Sequence, residues 1–138
     1  MSEHPNLKVI YSFFDCYNNG DMEGIKKVMA EDIKWHIPGN HPLSGTKNGI
    51  QEVMNYFDLL SKGSFRAEHL VMGVNDHYVL DCHRNISNIA NMENFNQLSC
   101  LLWKIEHQKI IEVFNFPQDQ ASTDAFFNQW CRTINDSQ

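Results

Sequence analysis

The sequence has no apolar run long enough to cross a bilayer, and its N-terminus has no basic region followed by an apolar core. We therefore predict a cytoplasmic protein with neither a membrane anchor nor a secretory signal. Basic residues are also scarce, because 11 Lys and Arg stand against 17 Asp and Glu, a formal net charge of -6. Nucleic acids and anionic membranes attract a basic face, so neither is expected as a partner.

Cysteine is present but not in a pattern that builds structure. The four cysteines are widely spaced and include no C-x-x-C pair: Cys16, Cys82, Cys100 and Cys131. A disulfide-stabilised fold packs its cysteines more densely into a shorter chain, so reduced thiols are expected. The histidines also lack an H-E-x-x-H spacing. A metal site formed by His41, His69 and His83 is therefore a minority alternative, and no metal or other cofactor is predicted.

What the chain does have is the composition of an ordinary globular protein, 42% apolar and 20% charged. Its 138 residues are enough for a core that needs no metal or disulfide. We expect residues 1–138 to form a single domain.

Helical spacing of apolar residues occurs near both ends of the chain. Val9, Phe13 and Tyr17 belong to a stripe that predicts a helix over about 5–18. The Asn-Asn-Gly sequence at 18–20 is expected to end it, and Asp21 to cap a second helix that reaches Met29. A third helix is expected from about 50 to 57, and a closing helix from about 121 to 134.

Strand patterns fill the rest of the chain. Residues 33–37 alternate between apolar and polar side chains, and Pro38-Gly39 follows. Period-two segments cover about 65–74, 77–89, 95–106 and 109–117, with short polar turns between them. Short connections between such strands favour an antiparallel meander. Helices first and strands afterwards, around one core, indicate an α+β fold.

Several motifs occur in an order that resembles a known family. The sequence N-G-D separates the first two helices, and W-H-I-P-G-N-H-P-L-S-G precedes the third. The last strands, L-L-W-K-I and K-I-I-E-V-F-N-F-P-Q-D-Q, run into D-A-F-F. In this order the chain resembles the SnoaL-like branch of the NTF2-like superfamily. The resemblance implies a cystatin-like cone, in which three N-terminal helices pack on a strongly curved antiparallel sheet with a short C-terminal helix. It also implies an apolar-walled pocket and dimers that form through the convex sheet face.

The same resemblance excludes some functions. Aligned with ketosteroid isomerases, Phe13 replaces the catalytic Tyr, Ile37 the base, and Cys100 the protonated Asp. That isomerisation then has no mechanism, because no base is available. Limonene epoxide hydrolases need an Arg beside their carboxylates, and Arg84 points opposite to Asp81. Polyketide cyclases of this type use an acidic residue near the end of the last strand.

Two positions fall in that last neighbourhood. Asn115 cannot titrate, whereas Asp119 follows Pro117 and is expected at the pocket rim.

The second long strand carries the polar residues of greatest interest. Period two places Asp81, His83 and Asn85 on one face, which the resemblance makes the pocket side, and Asn115 is expected to join them. Asp81 would orient His83 as a general base. In the alternative register, shifted by one residue, these side chains are solvated and Cys82 faces inward. A hydrogen-bonded structural cluster is an equal alternative to a catalytic one.

Further residues are predicted to form or border the pocket. Trp35 is expected in its wall or in the core, and His41 at its mouth or exposed. The remaining predicted lining residues are Phe13, Tyr17, Phe57, Cys100 and Asp119.

The opposite sheet face leads to a prediction about assembly. If Cys100 faces the pocket, then Leu101, Trp103 and Ile105 alternate outward. An apolar stripe of this kind is expected to be buried in a homodimer, or else under the C-terminal helix.

Together these features predict a SnoaL-like protein that binds a small, mostly apolar molecule. If it is an enzyme, the chemistry is that of a cofactor-free isomerase, cyclase or hydratase in which His83 and Asp81 act as acid and base. The alternatives are a non-catalytic ligand-binding protein and an interaction module whose pocket is filled by side chains.

Overall fold

The computed structural model describes residues 3–136 as four helices and one six-stranded sheet. The helices are α1 (Pro5–Asn18), α2 (Met22–Lys27), α3 (Gly49–Ser61) and α4 (Gln120–Asp136). The strands are β1 (Met29–Ile37), β2 (Gly45–Asn48), β3 (Arg66–Val74), β4 (Tyr78–Ile86), β5 (Asn96–Glu106) and β6 (Lys109–Pro117). The predicted α+β class is confirmed. No helix within the described residues is long and apolar enough to span a membrane.

The turn between the first two helices forms as its sequence predicts. Gly20 adopts a positive φ of 68°, a conformation that glycine reaches without a steric penalty. The Asp21 carboxylate then accepts a hydrogen bond from the backbone N–H of Gly24 at 2.9 Å, which caps α2. This helix is shorter than predicted, because Met29 instead begins β1 and pairs with Ile110 of β6.

The strands are ordered β2-β1-β6-β5-β4-β3 across the sheet. The last four form the predicted antiparallel meander, whereas β1 lies parallel to β6. Register shifts interrupt three of the pairings, one of them between His69 and Val71 of β3. Because bulges bend strands and increase their twist, these shifts curve the sheet around the helices.

Strand β2 was not predicted. Residues 45–48 were expected to lead directly into a helix, but Thr46 and Lys47 pair with His36 and Trp35 of β1. The segment is four residues long and has no apolar alternation, so only its pairing with β1 identifies it as a strand. The C-terminal helix, in turn, is longer than predicted.

The core has two parts. The larger lies between α1, α3 and the concave sheet face, and the smaller packs Phe127 and Trp130 of α4 against Phe65. Trp103 and Ile105 are 0% and 1% exposed in the larger part. The prediction that Leu101, Trp103 and Ile105 form an outward stripe is therefore wrong. Strand β5 carries apolar residues on both faces, so alternation alone does not reveal which face is buried.

Candidate functional site

A cavity of about 130 Å³ lies between the concave sheet face and the helices. Its wall is mostly aromatic, and the aromatic lining residues are Phe13, Phe14, Tyr17, Trp35, Tyr56, Phe57, Phe65, Phe95, Trp103 and Phe127. Arg66 and His69 line it too, and their side chains are 65% and 36% exposed, so they mark its mouth. An engineered apolar cavity of roughly 150 Å³ binds benzene. The enclosed space therefore suits a molecule built around a ring.

Most of the predicted site residues are brought together here. Those that line the cavity are Phe13, Tyr17, Trp35, His41, Phe57, His83, Asn85 and Asn115. Asp81 is fully buried beside them. The alternative register is therefore wrong: Arg84 points away from the cavity and donates a hydrogen bond to Asn96 at 2.7 Å, an exposed contact.

The Asp81 carboxylate is held by two imidazoles. Its Oδ1 lies 3.1 Å from Nδ1 of His69 and 3.5 Å from Nδ1 of His83. His69 reaches it because β3 and β4 are paired so that His69 stands directly opposite His83. Within residues 3–136, Oδ2 of Asp81 and Nδ1 of His83 have no hydrogen-bond partner. A buried carboxylate is costly without partners, so the hydrogen bond with His69 is its main stabilisation, and His83 is a neighbouring imidazole at 3.5 Å.

A hydroxyl group extends this cluster onto the next strand. Ser99 of β5 pairs with His83 across the sheet, and its Oγ lies 2.8 Å from Nε2 of His83. Ser99 also lines the cavity. Asp81, His83 and Ser99 thus follow one another as carboxylate, imidazole and hydroxyl, with a 3.5 Å contact between the first two and a hydrogen bond between the last two.

Two side-chain amides flank the cluster. Asn85 lies two residues beyond His83 on the same face of β4, and Asn115 pairs with Leu101 on β6. Both line the cavity. The described part of the chain provides neither amide with a hydrogen-bond partner, so both are available to bind the oxygen of a ligand.

The other end of the cavity is an aromatic cluster. Trp103 lies at ring-centroid distances of 4.9 Å from Phe13 and 5.3 Å from Trp35, and Phe57 lies 5.1 Å from Trp35. All three contacts have steep interplanar angles, the edge-to-face geometry that aromatic pairs favour. Trp35, only 4% exposed, thus belongs to both the cavity wall and the core.

His41 lies in the cavity wall but is held by its own loop and by α4. Its ring stacks on Phe127 at 4.8 Å, and its Nδ1 accepts a hydrogen bond from the backbone N–H of Leu43 at 3.2 Å. Burial lowers the pKa of His41, against the opposing charge of Asp124. The neutral imidazole is therefore the form that the fold stabilises.

Two tyrosines provide further hydroxyl groups. Tyr17 and Tyr56 line the cavity, and burial raises the pKa of both phenols. They consequently retain their protons and act as hydrogen-bond donors in the neutral range.

Two predicted site residues lie elsewhere. Cys100 is on the convex face, where its Sγ lies 2.9 Å from Sγ of Cys82, because its neighbours Ser99 and Leu101 occupy the cavity side. Asp119 is exposed and accepts a hydrogen bond from the backbone N–H of Ser122 at 3.0 Å, which caps α4. That hydrogen bond lowers the pKa of Asp119.

From the sequence, His69 was considered only as a ligand of the alternative metal site, and Ser99 was not considered as a member of the site. The bulge after His69 breaks the alternation of β3, so no pattern marks its inward face. The signal for Ser99 was the pairing of β4 with β5, which places it opposite His83. Among residues 3–136, no three His, Cys, Asp or Glu side chains form a group suited to a metal ion.

The fold and cavity define a cone-shaped α+β domain of the NTF2-like type. The model of the SnoaL-like domain matches residues 10–113, and the chain therefore belongs to the SnoaL-like family. No curated protein matches the chain by sequence.

Solved structures share the fold at low identity. A protein of unknown function with a cystatin-like fold from Xanthomonas campestris is 28% identical with a TM-score of 0.77, and 88% of this chain and 97% of that chain are covered. Bal32a, from a soil-derived mobile gene cassette, is 20% identical with a TM-score of 0.82, at coverages of 89% and 96%. TerC, co-crystallised with polyporic acid, is 16% identical with a TM-score of 0.79, at coverages of 91% and 99%.

Proposed function

We propose that the chain binds a small, mostly apolar molecule in the cavity and acts on it by cofactor-free acid/base chemistry, as an isomerase, cyclase or hydratase. The observation that carries this proposal is the buried Asp81 carboxylate, which contacts Nδ1 of His69 at 3.1 Å and Nδ1 of His83 at 3.5 Å. A carboxylate placed in this way orients an imidazole and favours the tautomer that carries the proton on Nδ1. Nε2 is then free to accept a proton.

The two imidazoles differ in what their Nε2 atoms contact. Nε2 of His83 is hydrogen-bonded to Ser99, whereas Nε2 of His69 has no hydrogen bond to any of the described residues. His69 also stands at the mouth, with its side chain 36% exposed. We therefore assign direct proton removal to His69. His83, the base expected from the sequence, acts through Ser99, whose hydroxyl passes its proton to His83 when the oxygen accepts one from the ligand.

The ligand class follows from the remaining polar groups. The amides of Asn85 and Asn115 and the phenols of Tyr17 and Tyr56 donate hydrogen bonds, which suits a carbonyl or hydroxyl oxygen on a ring. Removal of a proton from the carbon next to a carbonyl puts negative charge on that oxygen, and fixed donors stabilise it. The polyporic acid of TerC is a ring compound of this general kind, which makes it a useful probe.

Binding is tested with polyporic acid and with 2-tetralone, a two-ring ketone. Saturable quenching of tryptophan fluorescence is expected, because Trp35 and Trp103 line the cavity. Leu101 lines the cavity, so Leu101→Trp should fill it and abolish binding. Leu102 is the next residue and lies on the convex face, so Leu102→Trp should leave binding unchanged. Equal binding by both variants, or no saturable binding of either probe, would contradict the proposal.

Proton removal is tested by deuterium exchange at the carbon next to the carbonyl of 2-tetralone in D₂O, followed by NMR. The wild-type chain should accelerate exchange over buffer. His69→Ala should reduce that acceleration by about 10²- to 10⁴-fold, while its affinity for 2-tetralone stays the same. His36→Ala, on the convex face, is the matched control and should change nothing.

Non-catalytic ligand binding is the second candidate. It is favoured by the burial of His83, which is 4% exposed and whose Nε2 is already hydrogen-bonded to Ser99 inside the protein. Binding of 2-tetralone without accelerated exchange would support this alternative. An interaction module with a filled pocket is disfavoured, because the cavity is open.

The homodimer and the cytoplasmic location remain predictions. The interface predicted for the dimer is not available, since Trp103 and Ile105 lie in the core. Sedimentation velocity of the 16.1 kDa chain tests self-association directly, and a single species of that mass would rule it out at the concentration used.

A further inference from the structure

Two cysteines meet on the convex face, behind the cavity. Cys82 of β4 and Cys100 of β5 are directly opposite each other in the antiparallel pair. Their Sγ atoms lie 2.9 Å apart, both residues are half-buried, and both are free thiols. The acid/base chemistry proposed above makes no use of either thiol.

We propose that Cys82 and Cys100 form a modification site, at which a low-molecular-weight disulfide oxidises the two thiols to an intramolecular disulfide. Residues directly opposite in antiparallel strands have Cα atoms roughly 4.5–5.5 Å apart, within the roughly 4.4–6.8 Å that a disulfide spans. The sulfur atoms must approach by about 0.9 Å to bond, a movement that side-chain rotation provides.

The reaction has two balanced steps. The Cys82 thiolate attacks one sulfur of the small disulfide, that S–S bond breaks, and one small thiol leaves with the proton taken from Cys82. Cys100 then attacks the Cys82 sulfur of the mixed disulfide, gives up its proton, and releases the second small thiol. The protein loses two protons and two electrons, and the small disulfide gains both and becomes two thiols.

The order of attack follows from the surroundings of Cys100. Burial, followed by the hydrogen bond and charge of Cys82, raises the pKa of Cys100 to about 11. Its thiol therefore keeps its proton, and Cys82 is the attacking group in the first step. Once Cys82 is in a mixed disulfide, Cys100 is the remaining thiol beside it and acts as the resolving thiol.

The position of the pair connects it to the cavity. Cys82 lies between Asp81 and His83 in the chain, and Cys100 lies between Ser99 and Leu101. A disulfide would thus cross-link the two strands at the point where His83 contacts Ser99 on the other face. Oxidation on the convex face would thereby restrain the spacing between two groups of the site.

The test uses the full chain in glutathione buffers of increasing oxidised fraction. Oxidation should reduce the free thiols from four to two, with the mass of one chain less two hydrogens and a Cys82–Cys100 cross-link in the peptide map. Cys16 and Cys131 are internal controls and should remain free. The apparent Tm should rise by about 10 °C, because the cross-link reduces the conformational entropy of the unfolded chain.

Single variants separate the two thiols. Cys100→Ser should stop at a glutathione adduct on Cys82. Cys82→Ser should form an adduct on Cys100 more slowly, because burial, the largest cause of the raised pKa of Cys100, remains. Both should keep the circular dichroism spectrum of the wild type, which excludes misfolding. The proposal is overturned if four thiols persist in fully oxidised glutathione, if the cross-link forms between chains, or if Cys16 or Cys131 reacts first.

Discussion

The two faces of the β4–β5 strand pair are built from alternate residues of the same segments, yet they carry different chemistry. The concave face holds a buried carboxylate, an imidazole and a hydroxyl, and His69 of the neighbouring β3 adds a second imidazole to this network of 2.8–3.5 Å contacts. The residues between them point to the convex face, which holds two thiols and half-exposed apolar side chains such as Leu102. The comparison teaches that alternate residues of one strand pair meet different surroundings, a mostly buried polar network on one face and half-buried thiols on the other.

The largest expected effect tests which face is the core. Trp103→Ala removes a fully buried ring from the aromatic cluster and should lower the free energy of unfolding by about 3–5 kcal/mol. Leu102 is the preceding residue and lies on the convex face. Leu102→Ala should lower the free energy of unfolding by less than about 1.5 kcal/mol, since Leu102 is only half-buried. Urea denaturation measures both. A larger loss of stability for Leu102→Ala than for Trp103→Ala would contradict the assignment of the faces.

An intermediate effect sharpens the comparison by setting two histidine–carboxylate pairs against each other. On the concave side His69 contacts the fully buried Asp81, and on the convex side His36 contacts Glu112 at 2.6 Å with both side chains about 30% exposed. Double-mutant cycles to alanine should give a coupling of about 1–2 kcal/mol for the first pair and about 0.2–1 kcal/mol for the second. A larger coupling at His36–Glu112 would show that burial is not what strengthens the contact.

The smallest expected effect is on pH dependence and concerns His41 in the cavity wall. Burial lowers the pKa of His41, so the folded chain binds fewer protons at this site than the unfolded chain. Stability from neutral His41 is therefore present above its ordinary pKa and is lost as the pH falls below it. Denaturation from pH 8 to 5 should show a smaller loss for His41→Gln than for the wild type.

An exposed histidine is the matched control for that experiment. His77→Gln, in the turn between β3 and β4, should follow the wild-type pH profile. If both variants flatten the profile equally, the loss reflects general histidine protonation rather than the burial of His41.

Much of the architecture was predictable from local patterns. Helical spacing and the Asp21 cap identified α1 and α2, and alternation placed Asp81 and His83 on one face of β4, which the family resemblance made the inward face. Such signals are local, because they depend only on neighbouring side chains and on the 3.6- or two-residue period of the backbone.

The errors occurred where the local signal was absent or symmetric. Strand β5 is apolar on both faces, so alternation did not decide between Cys100 and Leu101 as the inward residue. The bulge in β3 hid His69, and the short polar β2 became a strand only through its pairing with Trp35 and His36. In each case the missing information was a pairing with another strand.

The sequence by itself determined the family, the order of the elements other than β2, and the aromatic character of the cone, because these follow from composition, motifs and backbone periodicity. Only the tertiary structure decided the contacts of the site. Asp81 meets His69, His83 meets Ser99, and Cys82 meets Cys100 through strand register, which brings together residues 12, 16 and 18 positions apart. Register is set by the burial of whole faces and by bulges, so no single segment encodes it.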